Sequence, residues 1–181
     1  ARRARGAVDF ETTETQIICD DSGRIEKIVP RTRNDAHRLI EEAMLAANVC
    51  SADFIAQGKQ HGLYRVHEGP TAEKQDILRT YLKAMAVGLT ISDHPRTAEY
   101  QAIADATKDR PDAQQIHTML LRSMQQAMYT PENNGHFGLA FEAYTHFTSP
   151  IRRYPDLLVH RVIKAILGNT KYHLPALPLP G

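Results

Sequence analysis

The stretch Tyr144-Thr145-His146-Phe147-Thr148-Ser149-Pro150-Ile151-Arg152-Arg153-Tyr154-Pro155-Asp156-Leu157 collects cations, hydroxyls and aromatic rings ahead of a helical pattern that runs through Leu158, Val159, Val162 and Ile163. Ser149 is the expected cap of that helix, with Pro150 and Pro155 both suited to its first turn. The amides at a helix start lack intrahelical acceptors, and Arg152 and Arg153 beside them complete an anion site.

Charge along the chain supports that placement. Lys and Arg number 22 and Asp and Glu 21, a formal balance of +1. The basic residues are nevertheless clustered, with Arg2, Arg3 and Arg5 at the start and Arg152, Arg153, Arg161 and Lys164 near the end. Asp156 is the only acid between Thr145 and Ala165. A local cationic face on a near-neutral chain points to a phosphate-bearing partner.

Other chemistries find less support. The chain has nine histidines, but His136, His146 and His160 are far apart and no HxH, HxxxH or HExxH spacing occurs, so no metal site is expected. Walker, GxGxxG and GxSxG motifs are absent as well. Cys19 and Cys50 lack CxxC spacing and read as reduced, packed thiols of a cytoplasmic protein. No apolar run approaches the roughly 20 residues a membrane span needs. With 181 residues, 42% of them apolar, the chain suits one domain or part of one. Its beginning at Ala1 in an extended pattern and its proline-rich end read as those of a piece of something longer.

Around the basic stretch the pattern alternates between strand and helix. Residues 6–30 are extended, with Asp20-Asp21-Ser22-Gly23 as a hairpin turn rather than a metal site. Thr32 is the expected cap, with Asp35 three residues on, of a helix reaching about Gln57. Leu39, Ile40, Ala43, Met44, Ala47, Cys50 and Phe54 form its apolar side. Asn34, Arg38, Glu41 and Asn48 form a polar row, either a solvated face or one turned to a ligand. A short strand follows at 62–67, then helices over 71–85 and 97–106. Another helix, capped by Asp109 with Pro111 in its first turn, reaches about Tyr129. A glycine-interrupted strand is expected at 136–140, and Gly168-Asn169 ends the final helix. The fold class is α+β, a mixed sheet with several packed helices. On spacing alone, a phosphate-binding helix mouth and a purely structural basic face both stand.

The run His136-Phe137-Gly138-Leu139-Ala140 followed by the basic stretch, with its Thr-Ser-Pro-Ile-Arg core, resembles the signature of the ribonuclease II superfamily catalytic domain, most closely its ribonuclease R branch. Residues 33–44, 109–113 and 119–124 are similar too, so the resemblance covers the chain to about Gly168. It implies a processive hydrolytic exoribonuclease acting from the 3′ end of single-stranded RNA and releasing nucleoside 5′-monophosphates. Residues 1–168 would be the carboxyl-terminal larger part of the catalytic domain, and 169–181 a proline-rich tail or linker. The family's metal-binding aspartates lie upstream of the matched region, so magnesium is expected in the parent enzyme and none on this chain. A monomeric parent with RNA as partner and no membrane association is also expected. The alternative is a non-catalytic RNA-binding relative.

The resemblance also assigns residues. Arg152 matches the arginine that contacts the phosphate at the cleavage site, where a guanidinium would neutralise charge developing on phosphoryl oxygens. Phe10 matches a phenylalanine that stacks under the last bases, its other reading being a strand core residue. Glu41, or Glu42 beside it, matches a glutamate near the 3′-terminal nucleotide, placed to accept a hydrogen bond from a 2′-hydroxyl. His146, Thr148, Ser149, Arg153 and Tyr154 are expected to line the RNA channel, with Asn34 from the polar row. His160 and Arg161 would orient the helix.

Overall fold

The Asp20 side chain closes the first turn. Its Oδ1 accepts hydrogen bonds from the amides of Ser22 and Arg24, both at 2.9 Å, and from the Ser22 hydroxyl at 2.6 Å. Gly23 takes the positive φ, +78°, that the turn requires. Those bonds, the Ser22 hydroxyl first, hold the Asp20 carboxyl below its ordinary range. The aspartates at 20 and 21 are thus turn chemistry, as expected. The computed structural model describes residue 7, residues 14–31 and residues 34–175.

Its elements are β1 (Glu14–Cys19), β2 (Ile25–Arg31), α1 (Asp35–Gln57), β3 (Tyr64–Val66), α2 (Ala72–Ala84), α3 (Thr97–Thr107), α4 (Ala113–Ser123), β4 (Met128–Thr130) and α5 (Tyr154–Leu167), with a 3-10 turn at Phe137–Leu139. The α+β class holds. The expected mixed sheet does not form among the described residues, where β1 pairs with β2 and β3 with β4 in two separate antiparallel sheets.

Helix α1 is capped by Asn34, two residues past the expected Thr32, which lies outside the described residues. The Asn34 side chain accepts from the His37 amide at 3.0 Å, and the His37 ring accepts from the Asn34 amide at 3.3 Å. The helix also presents a different face to the protein from the one its apolar residues suggested. Asn48, Ser51, Ala52 and Ile55 are buried, whereas Leu39 is 70% and Ile40 60% exposed. Small side chains let α5 lie close against α1. At the C-terminal end of α1, a Cβ on Gly58 would stand 2.6 Å from Ile166 Cδ1. Cys19 and Cys50 are unpaired, as expected, but exposed rather than packed.

Three further expectations shift. The helix expected from an Asp109 cap to Tyr129 starts instead after Asp112, with Pro111 outside it. It ends at Ser123, because Met124 turns to an extended conformation and its carbonyl accepts from Lys74 Nζ at 2.9 Å. Residues 128–130 then pair with β3, placing Tyr129 opposite Arg65. Gln125, Gln126 and Ala127 are good helix formers, so local propensity alone continues the helix. The strand expected at 136–140 is the 3-10 turn, ended by Ala140 in the left-handed region at φ +53°. Finally, Arg153 rather than Ser149 stands at the N-cap of α5. Pro155 is in the first turn as expected, and Pro150 lies in the turn before it.

Apolar burial falls into two clusters. Leu78, Leu82, Tyr100, Ile103, Ile116 and Leu120 join α2, α3 and α4. Ala52, Ile55, Leu63, Val66, Leu158, Val159 and Val162 join α1, β3 and α5, with Tyr172 and Leu174 packed against them. Phe137 leans on the first cluster, edge-on to Tyr100 at 5.7 Å, and faces His67 at 6.1 Å.

The two faces of α1 give a direct test in this chain. Ile55→Ala is expected to destabilise by about 2–5 kcal/mol and Leu39→Ser by no more than about 0.5 kcal/mol, read from urea unfolding. Comparable losses would show that the Leu39 face is the buried one.

Candidate functional site

Between Tyr144 and Ser149 the backbone is neither helix nor strand, although Tyr144 and Thr145 are buried. Its polar groups must therefore find partners in side chains and in neighbouring strands. Asn48 on α1 provides two: its Oδ1 accepts from the Phe147 amide and its Nδ2 donates to the Tyr144 hydroxyl, both at 2.9 Å. Thr145 Oγ1 donates to the Leu63 carbonyl at 2.5 Å. On α5, His160 Nε2 donates to the Phe147 carbonyl at 2.8 Å, and the two rings stack with centroids 4.1 Å apart. The Arg65 amide donates to the Tyr144 carbonyl at 2.8 Å.

The last support is Asp156, in the first turn of α5. It is fully buried, and its Oδ2 accepts from the Ser149 amide at 2.8 Å and from Arg153 Nη2 at 3.0 Å. The Ser149 carbonyl in turn accepts from the amides of Arg152 and Arg153. Residues 149–153 form a tight turn that throws Ile151 and Arg152 outward. No hydrogen bond or ion pair among the described residues engages the Arg152 guanidinium. Asp156 Oδ1, Arg153 Nε and Thr148 Oγ1 are buried without a partner among those residues.

A row of rings lies behind the turn. His67 and His136 have centroids 5.0 Å apart, His136 and Tyr144 5.3 Å, Tyr144 and His146 5.7 Å, and His146 and Tyr129 5.6 Å. His146 Nδ1 shares a 2.6 Å hydrogen bond with the Tyr129 hydroxyl, and the Arg65 guanidinium sits 4.5 Å above the Tyr129 ring. Burial, reinforced by the cations Arg153, Arg65 and Arg152, pushes His146 down to about 4. Burial and the His67 ring push His136 down to about 3. His67 is lowered too, by burial first. Its tautomer follows from its bonds, because Nδ1 accepts from the Gly138 amide and Nε2 must then donate to the Gln125 carbonyl. An open groove of about 900 Å³, lined by His67, Arg96, Asn134, His136, Phe137 and Phe141 among others, adjoins this row and does not include Arg152.

The structure thus gathers His146, Thr148, Ser149, Arg152, Arg153 and Tyr154 on one segment. Asn34 serves as the cap of α1. Glu41 is half-buried on the same helix, two turns or about 10 Å along the axis from Asn48. Phe10 lies outside the described residues. The polar row on α1 divides accordingly: Arg38 pairs with Asp35 at 3.5 Å, and Asn48 faces the interior rather than a ligand. Three supports were not singled out from sequence. Asp156 was visible only as a lone acid in a basic stretch. Arg65 and Tyr129 had no signal, because the strand pairing that brings them together crosses more than sixty residues. Among the described residues, no group of three His, Cys, Asp or Glu is placed to hold a metal ion, and no helix is long and apolar enough to cross a membrane.

Comparison with known proteins follows the same segment. The RNB domain family matches residues 1–169. Ribonuclease R of Escherichia coli is 46% identical over 173 residues, covering 96% of this chain and 21% of that protein. Ribonuclease R of Vibrio cholerae is 49% identical over 169 residues, covering 93% and 21%. The structure of Mycoplasma genitalium ribonuclease R in complex with ribose-methylated single-stranded RNA superposes with a TM-score of 0.82 at 31% identity, over 91% of this chain and 26% of that one. The chain spans about a fifth of the length of these curated relatives.

The neutral histidines fix the sign of one pH effect. Their folded values lie below the ordinary 6.5, so the unfolded chain binds more protons and stability falls as pH drops from about 6.5 towards 4. Urea midpoints at pH 7 and pH 5 should show that loss, and His146→Gln should reduce the difference. A flat midpoint over this window, which lies mostly above carboxylate titration, would contradict the burial of these rings.

Proposed function

The chain belongs to the RNB domain family, and from that membership we propose that it is the larger, carboxyl-terminal part of the catalytic domain of a processive 3′–5′ exoribonuclease. The substrate is single-stranded RNA and the products are nucleoside 5′-monophosphates. The observation that carries the reading is the Ser149–Arg153 turn, which holds Arg152 exposed with no side-chain partner among the described residues. A guanidinium so placed meets a phosphodiester bidentately and neutralises charge that builds on its oxygens during hydrolysis. Support for RNA as the ligand comes from the single-stranded RNA bound to the Mycoplasma genitalium relative.

The other site residues take lining roles. Ser149 and Thr148 border the turn, Tyr154 offers an exposed ring and His146 a neutral imidazole beside the cations. Glu41 and Asn34 extend the surface along α1, where the Glu41 carboxylate would meet a 2′-hydroxyl and favour RNA over DNA. Phe10 is assigned to stacking on the terminal bases. Among the described residues no group of three His, Cys, Asp or Glu fits a magnesium site. By the family resemblance, magnesium in the parent enzyme would be held by aspartates upstream of the basic stretch and its neighbours. Two unpaired exposed cysteines suit a reducing compartment such as the cytoplasm. A monomeric parent is part of the same reading.

In the intact protein, Arg152→Lys is expected to lower turnover by roughly a hundredfold while RNA affinity falls far less, because the lost interaction belongs mainly to the transition state. Equal losses in turnover and affinity would remove that role. The isolated chain should bind single-stranded RNA with salt-sensitive affinity yet show no magnesium-dependent hydrolysis. Robust hydrolysis by a clean preparation would overturn the assignment of the metal ligands to other residues.

A further inference from the structure

Arg152 and Arg153 are neighbours of the same chemistry, but the structure gives them different tasks. Arg153 is three-quarters buried, its side chain 23% exposed, and spends its charge on a carboxylate with no exposure at all. Arg152 is exposed and has no such partner among the described residues. The same Asp156 oxygen that holds Arg153 also holds the Ser149 amide, so one atom grips the turn on both sides of Arg152. Within the turn, the Ser149 carbonyl takes the amides of Arg152 and Arg153. The direction of the Arg152 Cα–Cβ bond is therefore set by a carboxylate that Arg152 does not touch.

We propose that Asp156 is a positioning residue for Arg152: its buried carboxylate fixes residues 149–153 from both ends and takes up the charge of Arg153, leaving Arg152 as the guanidinium of the pair that is free for an RNA phosphate. The proposal rests on the exoribonuclease reading and deepens it. Two features favour it over a purely structural ion pair. The carboxylate sits in the first turn of α5, where the helix N-terminus already stabilises negative charge, so folding alone does not require Arg153. Among the described residues, both of its side-chain hydrogen bonds go to the one segment that carries Arg152. A misplacement of about 1 Å at a reacting centre is enough to cost on the order of a hundredfold in rate.

The test uses the full-length enzyme with single-stranded RNA and three single variants, Arg152→Gln, Arg153→Gln and Asp156→Asn, together with the double variant Arg152→Gln/Asp156→Asn. Each is measured for kcat, for KM and for the dependence of RNA affinity on salt. Arg152→Gln should lose turnover and lower the salt slope by about 0.7, the share of one phosphate contact on a single strand. Arg153→Gln and Asp156→Asn should lower kcat tenfold or more with the salt slope unchanged. In the Arg152→Gln background, Asp156→Asn should produce no further loss of kcat. Thermal unfolding of each variant is recorded, and Arg153→Gln, which leaves the carboxylate bonded to Ser149, keeps the test decisive if Asp156→Asn fails to fold. A fall in salt slope for Arg153→Gln would show that it contacts phosphate itself and overturn the proposal. Additive losses in the double variant would do the same. An Arg152→Gln enzyme with unchanged turnover would instead overturn the reading on which the proposal stands.

Discussion

Irregular backbone inside a protein is tolerable only when its amides and carbonyls are individually satisfied. The segment from Tyr144 to Ser149 lives under that constraint, and much of the surrounding architecture meets it. Asn48 reaches it from α1, Leu63 and Arg65 from around β3, and His160 and Asp156 from α5. These elements also build one of the two apolar clusters, so burial of Ile55, Val159 and Val162 and orientation of the loop are a single event. Loss of one of these partners would leave a buried polar group bare at a cost of about 1–3 kcal/mol. The loop is thus held as firmly as a strand without being one.

This arrangement explains which parts of the molecule could be read from residue order. The hairpin turn at 20–23, the helices expected over 71–85 and 97–106 and the stop at Gly168 are local matters, decided by side chains a few positions apart. The structure has them within a residue or two. The buried face of α1 differs from the expected one, because its small and polar residues become interior only when α5 lies against them. Leu39 and Ile40 looked like core and are exposed. Likewise, the end of α4 is set by Lys74 from another helix. The basic stretch was legible as an anion site and, through its likeness to a family signature, as more than that. What spacing could not show was the division of labour between adjacent arginines, which depends on where one carboxylate is buried.

Neutral histidines give the region its electrostatic character. His136 and His146 present imidazole rather than imidazolium at neutral pH, so the rings pack edge to face with Tyr144 without adding charge behind Arg152. The positive potential at the turn then belongs to the guanidinium groups rather than to imidazolium. A surface built so should hold its charge over the whole interval in which histidine-based surfaces change theirs.

Phe137 packs on the cluster of α2, α3 and α4, edge-on to Tyr100 and to His67. The two apolar clusters share no buried residue. Helices α2, α3 and α4 share a core that owes little to α5, so they form a foldon able to open while the loop at Tyr144 to Ser149 stays bonded. Amide exchange would then sort by unit rather than by depth: protons of α3, though deeply buried, would exchange through a partial opening, and those of α5 only through global unfolding. An opening of the helical unit would leave in place the hydrogen bonds that aim Arg152, since those run to Asp156 and Ser149.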